Sequence, residues 1–180
     1  VFVVTSFKIP SDSMEPSLLA GDCILEVLNP CDYVEELCRC GVKRLCAHIE
    51  ALPYPSLFLS AARKGGAAAC GLAVNLKTPV AELVPYADQL DYVLFVSVEA
   101  DHDGLPFRPG VLDKVREARA LLGPGTDIWV DGGVNAGNLG RIVRAGATGV
   151  VVGRAVFGAE DPVRAYRDLL ELAEAAGREV

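Results

Sequence analysis

Short, almost continuous apolar runs alternate along the chain with longer segments in which apolar residues recur every three or four positions. Runs of the first kind are typical of parallel strands buried on both faces, and segments of the second kind are typical of amphipathic helices. Apolar runs that end in glycine, asparagine or a charged residue predict strands at 23–28, 45–49, 70–75, 92–98, 127–131 and 149–153.

A helical pattern follows each predicted strand. Proline or asparagine at the start and glycine at the end give several of these segments clear limits. The predicted helices cover 29–40, 56–64, 79–87, 110–122, 136–145 and 161–176. Successive strand–helix units with right-handed crossovers form a parallel sheet with outer helices, so the pattern predicts an α/β fold.

The chain is short for the closed form of this fold. A (β/α)8 TIM barrel usually takes about 250 residues and at least about 200, whereas this chain has 180. Residues 2–7 offer one further strand, with room for a second short one. We therefore predict an incomplete or irregular barrel over 23–180, preceded by an N-terminal strand or leader segment over 1–22. An incomplete barrel leaves open sheet edges, and a homo-oligomer is one arrangement that would cover them.

Charge and cysteine content limit the partners. The formal net charge of −7 argues against nucleic acid or an anionic membrane as partner, although a local site can still bind phosphate. The six cysteines show no C-x-x-C spacing, which favours reduced thiols and a cytoplasmic location. No apolar stretch approaches the roughly 18 residues of a membrane span, and no basic region precedes the apolar start as in a signal peptide.

The strongest functional signal is the end of the strand predicted at 127–131. Asp131 terminates this strand, and Gly132 and Gly133 follow at once. Barrel enzymes carry their catalytic groups at the C-terminal ends of strands, so Asp131 is a candidate catalytic acid. The alternative is a carboxylate that caps the following turn.

A second strand end supports a phosphate site nearby. The strand predicted at 149–153 ends in Gly153, and Arg154 opens the next helix. Together with Gly132 and Gly133, Gly153 and Arg154 predict a phosphorylated small molecule held by backbone N–H groups and a guanidinium. Simple tight-turn glycines and a solvated arginine are the alternatives.

Other polar residues lie near predicted strand ends. His48 is a candidate substrate contact or a hydrogen-bonded structural histidine. The loop containing Glu99, Asp101, His102 and Asp103 has residue types that bind metal ions, although solvated acids are the alternative.

Six motifs carry a resemblance to a known family. They are DCILEVLNP at 22–30, AHIEA at 47–51, LAVNLKTP at 72–79, VSV at 96–98, VDGGVN at 130–135 and VGRAVFG at 152–158. In order and spacing they resemble the patterns DVHLMVxNP, xHxEA, xALNPxTP, MSV, VDGGV and xGSAxFG of ribulose-phosphate 3-epimerases. The resemblance implies a TIM barrel of the ribulose-phosphate-binding type.

This resemblance also implies an activity. The family interconverts ribulose 5-phosphate and xylulose 5-phosphate by moving a proton beside the carbonyl, using two aspartates around a divalent metal cation. A phosphorylated sugar is thus the expected partner, and Asp131 the expected catalytic acid and metal ligand.

The chain departs from the family at several metal positions. The family's HxDVMDG strand has no match, Ile24 stands at a metal-binding histidine, and residues 99–105 replace the phosphate loop NPGFGGQ. Only Asp131 remains of the four expected metal ligands. A non-catalytic sugar-phosphate-binding barrel is therefore an alternative function.

The N-terminal region carries a second resemblance. Residues 7–25, FKIPSDSMEPSLLAGDCIL, are similar to the serine box of type I signal peptidases, which implies Ser13 as a nucleophile activated by a lysine such as Lys43. A signal-peptidase-like serine protease fragment is thus a further alternative. Residues 16–22 equally fit the epimerase opening PSLLAAD, in which Ser17 would be a substrate contact or a helix cap.

Overall fold

A computed structural model describes residues 23–25, 31–98 and 105–178 of the chain. These residues form a parallel sheet of six strands, and the order of the strands in the sheet follows their order in the chain. The parallel α/β prediction is confirmed. The strands are β1 (Cys23–Leu25), β2 (Arg44–His48), β3 (Ala69–Val74), β4 (Tyr92–Val96), β5 (Asp127–Asp131) and β6 (Gly149–Val150).

Helices connect these strands. Pro55 and Pro162 occupy the first turns of their helices, where the missing proline N–H is not needed, and Asp161 accepts a hydrogen bond from the Arg164 N–H as an N-cap. The α-helices are α1 (Cys31–Arg39), α2 (Pro55–Lys64), α3 (Val111–Leu122), α4 (Ala136–Arg144), α5 (Arg154–Phe157) and α6 (Pro162–Gly177), and 3-10 helices cover Ile49–Ala51 and Val80–Gln89.

Two elements differ from the sequence-based prediction. The segment predicted as a helix over 79–87 is a 3-10 helix over Val80–Gln89, with Pro85 inside it. Proline lacks an N–H and clashes with the preceding turn, which prevents a regular α-helix there. The strand predicted over 149–153 is short, although the N–H of Val151 still donates to the Val130 carbonyl at 2.9 Å.

The two faces of the sheet have different surroundings. Alternate side chains such as Leu72, Phe95 and Ile128 belong to the large core between the sheet and the helices. The opposite face carries a smaller buried cluster, made by Cys46, Ala69, Ala73, Tyr92, Leu94, Trp129 and Val151. In a (β/α) barrel this second face lines the interior, so the strands present one set of side chains to the helices and the other to the barrel axis.

Aromatic rings fill part of this interior face. The ring centroids of Tyr92 and Trp129 are 5.8 Å apart, and the Arg44 guanidinium lies 4.9 Å from the Trp129 centroid. A Cβ on Gly149 would lie 2.7 Å from the Trp129 ring, and one on Gly71 would lie 2.9 Å from the Tyr92 ring. Glycine on the neighbouring strands therefore makes room for the rings.

Several predictions fall on residues that the structure does not describe. The leader segment 1–22, with Ser13 and Ser17, and the acidic loop over 99–104 lie outside the described ranges. The division into segments 1–22 and 23–180 therefore stays a prediction. Within the described ranges, no helix has the length and apolar character needed to cross a membrane.

Candidate functional site

Asp131 lies at the C-terminal edge of the sheet. It is the last residue of β5, pairs with Val96 of β4, and is partly exposed. Because side chains alternate along a strand, Asp131 is on the same face as Trp129, which belongs to the interior cluster. The position is that of a barrel's catalytic group, and its role as catalytic acid and metal ligand stays a prediction.

The glycine turn after Asp131 is tightly packed. Gly132 and Gly133 have φ angles of 100° and 63°, in the left-handed region that favours glycine. A Cβ on Gly132 would lie 2.8 Å from the Val98 side chain, and one on Gly133 would lie 2.8 Å from the Phe107 nitrogen. Local geometry alone thus requires both glycines, whether or not they also bind phosphate.

Gly153 is in a different situation. It precedes α5, is exposed, and has no atom within 4 Å of an ideal Cβ position. Packing therefore leaves room for a side chain at Gly153. This openness leaves space for a ligand to approach the backbone there, as the phosphate prediction requires.

A cleft of about 430 Å³ lies beside the glycine turn. This volume falls in the range of small-molecule sites. The cleft is lined by Leu105, Pro106, Phe107, Pro109, Gly133, Asn135, Gly137, Asn138, Arg141 and Arg154. It brings together Gly133 and Arg154 among the residues predicted to bind phosphate, while Asp131 and His48 are not part of its lining.

Two asparagines at the start of α4 fix the turn. The Asn135 side chain accepts a hydrogen bond from the Gly137 N–H, and the Asn138 side chain accepts one from the Asn135 N–H, both at 2.9 Å. Both side-chain amides also donate to the Gly133 carbonyl at 2.9 Å. This capping box holds the helix start and the glycine turn as one unit.

His48 belongs to a polar network at the ends of β2 and β3. It is 5% exposed, and its Nδ1 lies 3.3 Å from Glu50 Oε2. Glu50 Oε1 accepts hydrogen bonds from the Asn75 N–H at 3.0 Å and from the Thr78 hydroxyl. Lys114 Nζ donates to the carbonyls of Asn75 and Thr78, each at 2.6 Å. The network ties α3 to both strand ends and orients the His48 ring.

The network keeps the Glu50 carboxyl ionised. Burial alone would raise its pKa, but hydrogen bonds from His48, Thr78 and the Asn75 N–H outweigh burial and lower the pKa to about 2. Burial also lowers the pKa of Lys114, against the opposing effect of Glu50 and Glu117. Glu50 lies in the AHIEA motif at 47–51 but is not among the residues predicted for the site. The available signal was a glutamate two residues after a strand-terminal histidine.

We expect Glu50→Gln to lower the free energy of unfolding at pH 7 by about 2 kcal/mol, because hydrogen bonds to a charged group are lost. The folded-state pKa of about 2 is below the usual 4.5. Stability from Glu50 is therefore fully present above about pH 4.5 and is lost as the pH falls towards 2. Urea unfolding at pH 7 and between pH 2 and 5 measures both effects.

Glu82→Gln is the matched control, since Glu82 is exposed in the 3-10 helix and forms none of these bonds. We expect Glu82→Gln to keep the parent stability and its pH dependence. The stabilising role of the ionised Glu50 carboxyl is contradicted if the stability of Glu50→Gln depends on pH in the same way as that of the parent.

The described residues do not complete a metal site. No group of three or more His, Cys, Asp and Glu side chains within 31–98 and 105–178 is placed to hold a metal ion. The candidate ligands Glu99, Asp101, His102 and Asp103 lie outside the described ranges, so the metal prediction for that loop is untested.

Sequence comparison identifies the family. The sequence model of the Ribulose-phosphate 3 epimerase family matches residues 11–157. The chain belongs to this family. Ribulose-phosphate 3-epimerase 1 of Cupriavidus necator is 36% identical over an alignment 193 residues long, which covers 94% of this chain and 80% of that protein. The Schizosaccharomyces pombe ribulose-phosphate 3-epimerase is 36% identical over 141 residues, which cover 78% of this chain and 61% of that protein.

Solved structures share the fold of this epimerase-family chain. The 3-hexulose-6-phosphate synthase from Salmonella typhimurium superposes with a TM-score of 0.68 at 14% identity, covering 87% of this chain and 74% of that one. Orotidine 5'-phosphate decarboxylase from Pyrococcus horikoshii OT3 gives 0.62 at 16% identity, with the same coverage. At these identities the likeness concerns the fold alone, and it confirms an incomplete (β/α)8 barrel.

The comparisons do not support the signal-peptidase resemblance. The epimerase-family match begins at residue 11 and takes in Ser13 and Ser17, so the segment 16–22 falls within the family pattern. Lys43, the candidate partner of Ser13, is exposed just before β2. It therefore lies at the end of the strand opposite to the site edge.

Proposed function

We propose that the chain acts on a pentulose 5-phosphate as an epimerase, with Asp131 as the group that takes a proton from the carbon beside the carbonyl. The observation that carries this proposal is the position of Asp131, on the interior face at the C-terminal end of β5. A carboxylate held at a strand end can reach a substrate bound over the barrel mouth. Membership of the ribulose-phosphate 3-epimerase family indicates epimerisation as the type of reaction.

The phosphate would bind beside this acid. In the proposal, backbone N–H groups of Gly132, Gly133 and Gly153 and the Arg154 guanidinium hold it. The shared cleft of Gly133 and Arg154 and the open backbone at Gly153 support this arrangement. His48 is proposed as a polar contact whose ring is oriented by Glu50.

A divalent metal cation is a family expectation that the described residues do not fit, because only Asp131 is retained as a ligand. No step of the proposal runs through a metal. Return of the proton to the opposite face of the substrate also needs a second acid. Glu50 does not fill this role, because both of its carboxylate oxygens are engaged in the network with His48 and Asn75. We therefore propose slow turnover. We also propose that the protein is cytoplasmic and forms a homo-oligomer.

An epimerisation assay on ribulose 5-phosphate tests the function. We expect measurable conversion to xylulose 5-phosphate at a turnover well below the roughly 10 s⁻¹ typical of enzymes. Parallel assays with EDTA and with added divalent cations show whether the rate needs a metal. Binding of the sugar phosphate without turnover would instead favour the non-catalytic sugar-phosphate-binding barrel, and absence of both would contradict the proposal.

A further inference from the structure

The cleft beside the glycine turn carries two positive charges. Arg141 of α4 and Arg154 of α5 both line it, and its lining includes no carboxylate from the described residues. This is notable in a chain with a net charge of −7. Acidic side chains are more numerous than basic ones, yet none of those described accompanies this pair.

Neither guanidinium has a hydrogen bond or ion pair in the described part of the chain. Both residues are exposed. Some other arginines of the fold, by contrast, are engaged with carboxylates or carbonyls: Arg63 with Asp91 and Gln89, Arg116 with Asp113, and Arg119 with Gly123, Thr126 and Gly146. The charge of Arg141 and Arg154 is thus available to a ligand in the cleft.

The start of α4 does not supply the positive potential itself. The Gly137 N–H donates to the Asn135 side chain, and the N–H groups of Asn138 and Leu139 donate to the Asn135 carbonyl. These donors are occupied by the helix's own cap. Arg141 follows Gly137 by one helical turn, on the same side of α4, so an anion in the cleft would be held by side-chain charge.

We propose that Arg141 and Arg154 form a guanidinium pair that binds the substrate's phosphate as a dianion, with Arg141 as a specificity-determining residue. This inference rests on the proposed function. A phosphate monoester carries about two negative charges at pH 7, which two guanidiniums balance, and each guanidinium can bind phosphate oxygens through two parallel N–H groups. The pair would therefore select phosphorylated sugars over sugar acids, whose carboxylate carries a single charge.

Calorimetric titration with inorganic phosphate at low salt tests the pair. We expect Arg141→Gln to weaken phosphate binding about tenfold and Arg141→Lys to restore it only in part, since lysine cannot bind bidentately. Arg144→Gln is the matched control, because Arg144 is on the same helix, lies against Gly140, and does not line the cleft. Acetate, a singly charged probe, should bind more weakly than phosphate to the parent chain.

The outcomes separate this inference from the proposed function. Equal phosphate affinity of Arg141→Gln and Arg144→Gln would overturn the guanidinium pair and leave the epimerase proposal intact. Selective loss of binding in Arg141→Gln supports the pair even if the parent shows no epimerisation. Failure of the parent chain to bind phosphate would overturn the guanidinium pair, whereas the epimerase proposal is judged separately by the assay on ribulose 5-phosphate. Because Arg141 is exposed and unpaired, its variants should keep the parent thermal stability, which confirms that they fold.

Discussion

Asp131→Asn is expected to lower the epimerisation rate by about 10²- to 10⁴-fold, the usual contribution of a positioned general acid or base. The amide has nearly the shape of the carboxylate but does not accept a proton at neutral pH. The backbone around the position should remain, because the Ser97 N–H bonds to the Asp131 carbonyl rather than to its side chain. Steady-state rates on ribulose 5-phosphate, at matched metal concentration, measure the effect.

Asp127→Asn is the control for this experiment. Asp127 is on the same strand and the same face as Asp131 but at the opposite end of β5. Its side chain is 48% exposed and lies 4.0 Å from the Arg44 guanidinium, a surface pair of small energetic value. We expect this variant to keep the parent rate. Equal rates for Asp131→Asn and the parent would exclude a proton-transfer role for Asp131.

Trp129→Ala should lower the free energy of unfolding by about 3–5 kcal/mol, as expected for removing a large buried ring. Trp129 is 4% exposed and packs against Tyr92 and the Arg44 guanidinium on the interior face. Chemical unfolding measures the loss. Leu121→Ala, at a leucine that is 48% exposed on α3, should change stability by no more than about 0.5 kcal/mol.

A double-mutant cycle with Gly149 gives the sharper test of the interior packing. Gly149→Ala should destabilise the parent, because the added methyl would lie 2.7 Å from the Trp129 ring. In the Trp129→Ala background the methyl has free space, so its cost should fall by at least about 0.5 kcal/mol. Strictly additive effects would contradict the described contact between the ring and the neighbouring strand.

Most of the fold follows from local sequence signals. The strand at 127–131 and the helix that begins after Asn135 were predicted within a residue, because a buried apolar run and a capping asparagine act on the nearby backbone. The segment over 79–87 departs from the predicted helix, because Pro85 within it lacks the N–H that a regular α-helix requires.

The candidate site was only partly predictable. Asp131 and its glycines could be found because strand-end chemistry is local in sequence. Lys114 and Arg141 could not, because their surroundings come from distant elements. Lys114 bonds to the Asn75 carbonyl 39 residues away, and Arg141 and Arg154 line the same cleft although they belong to two different helices. Hydrophobic periodicity does not predict which polar residues from distant elements come close together.

The in-order arrangement of the sheet has a consequence for how such a protein can change over time. Each described strand pairs only with its immediate neighbours in the chain, so gain or loss of a strand at either margin of this sheet leaves the other described pairings unchanged. Sheets with this in-order pairing therefore tolerate a change in the number of strands at their margins. Their chemistry is more vulnerable than their architecture, because each reactive group depends on one particular unit.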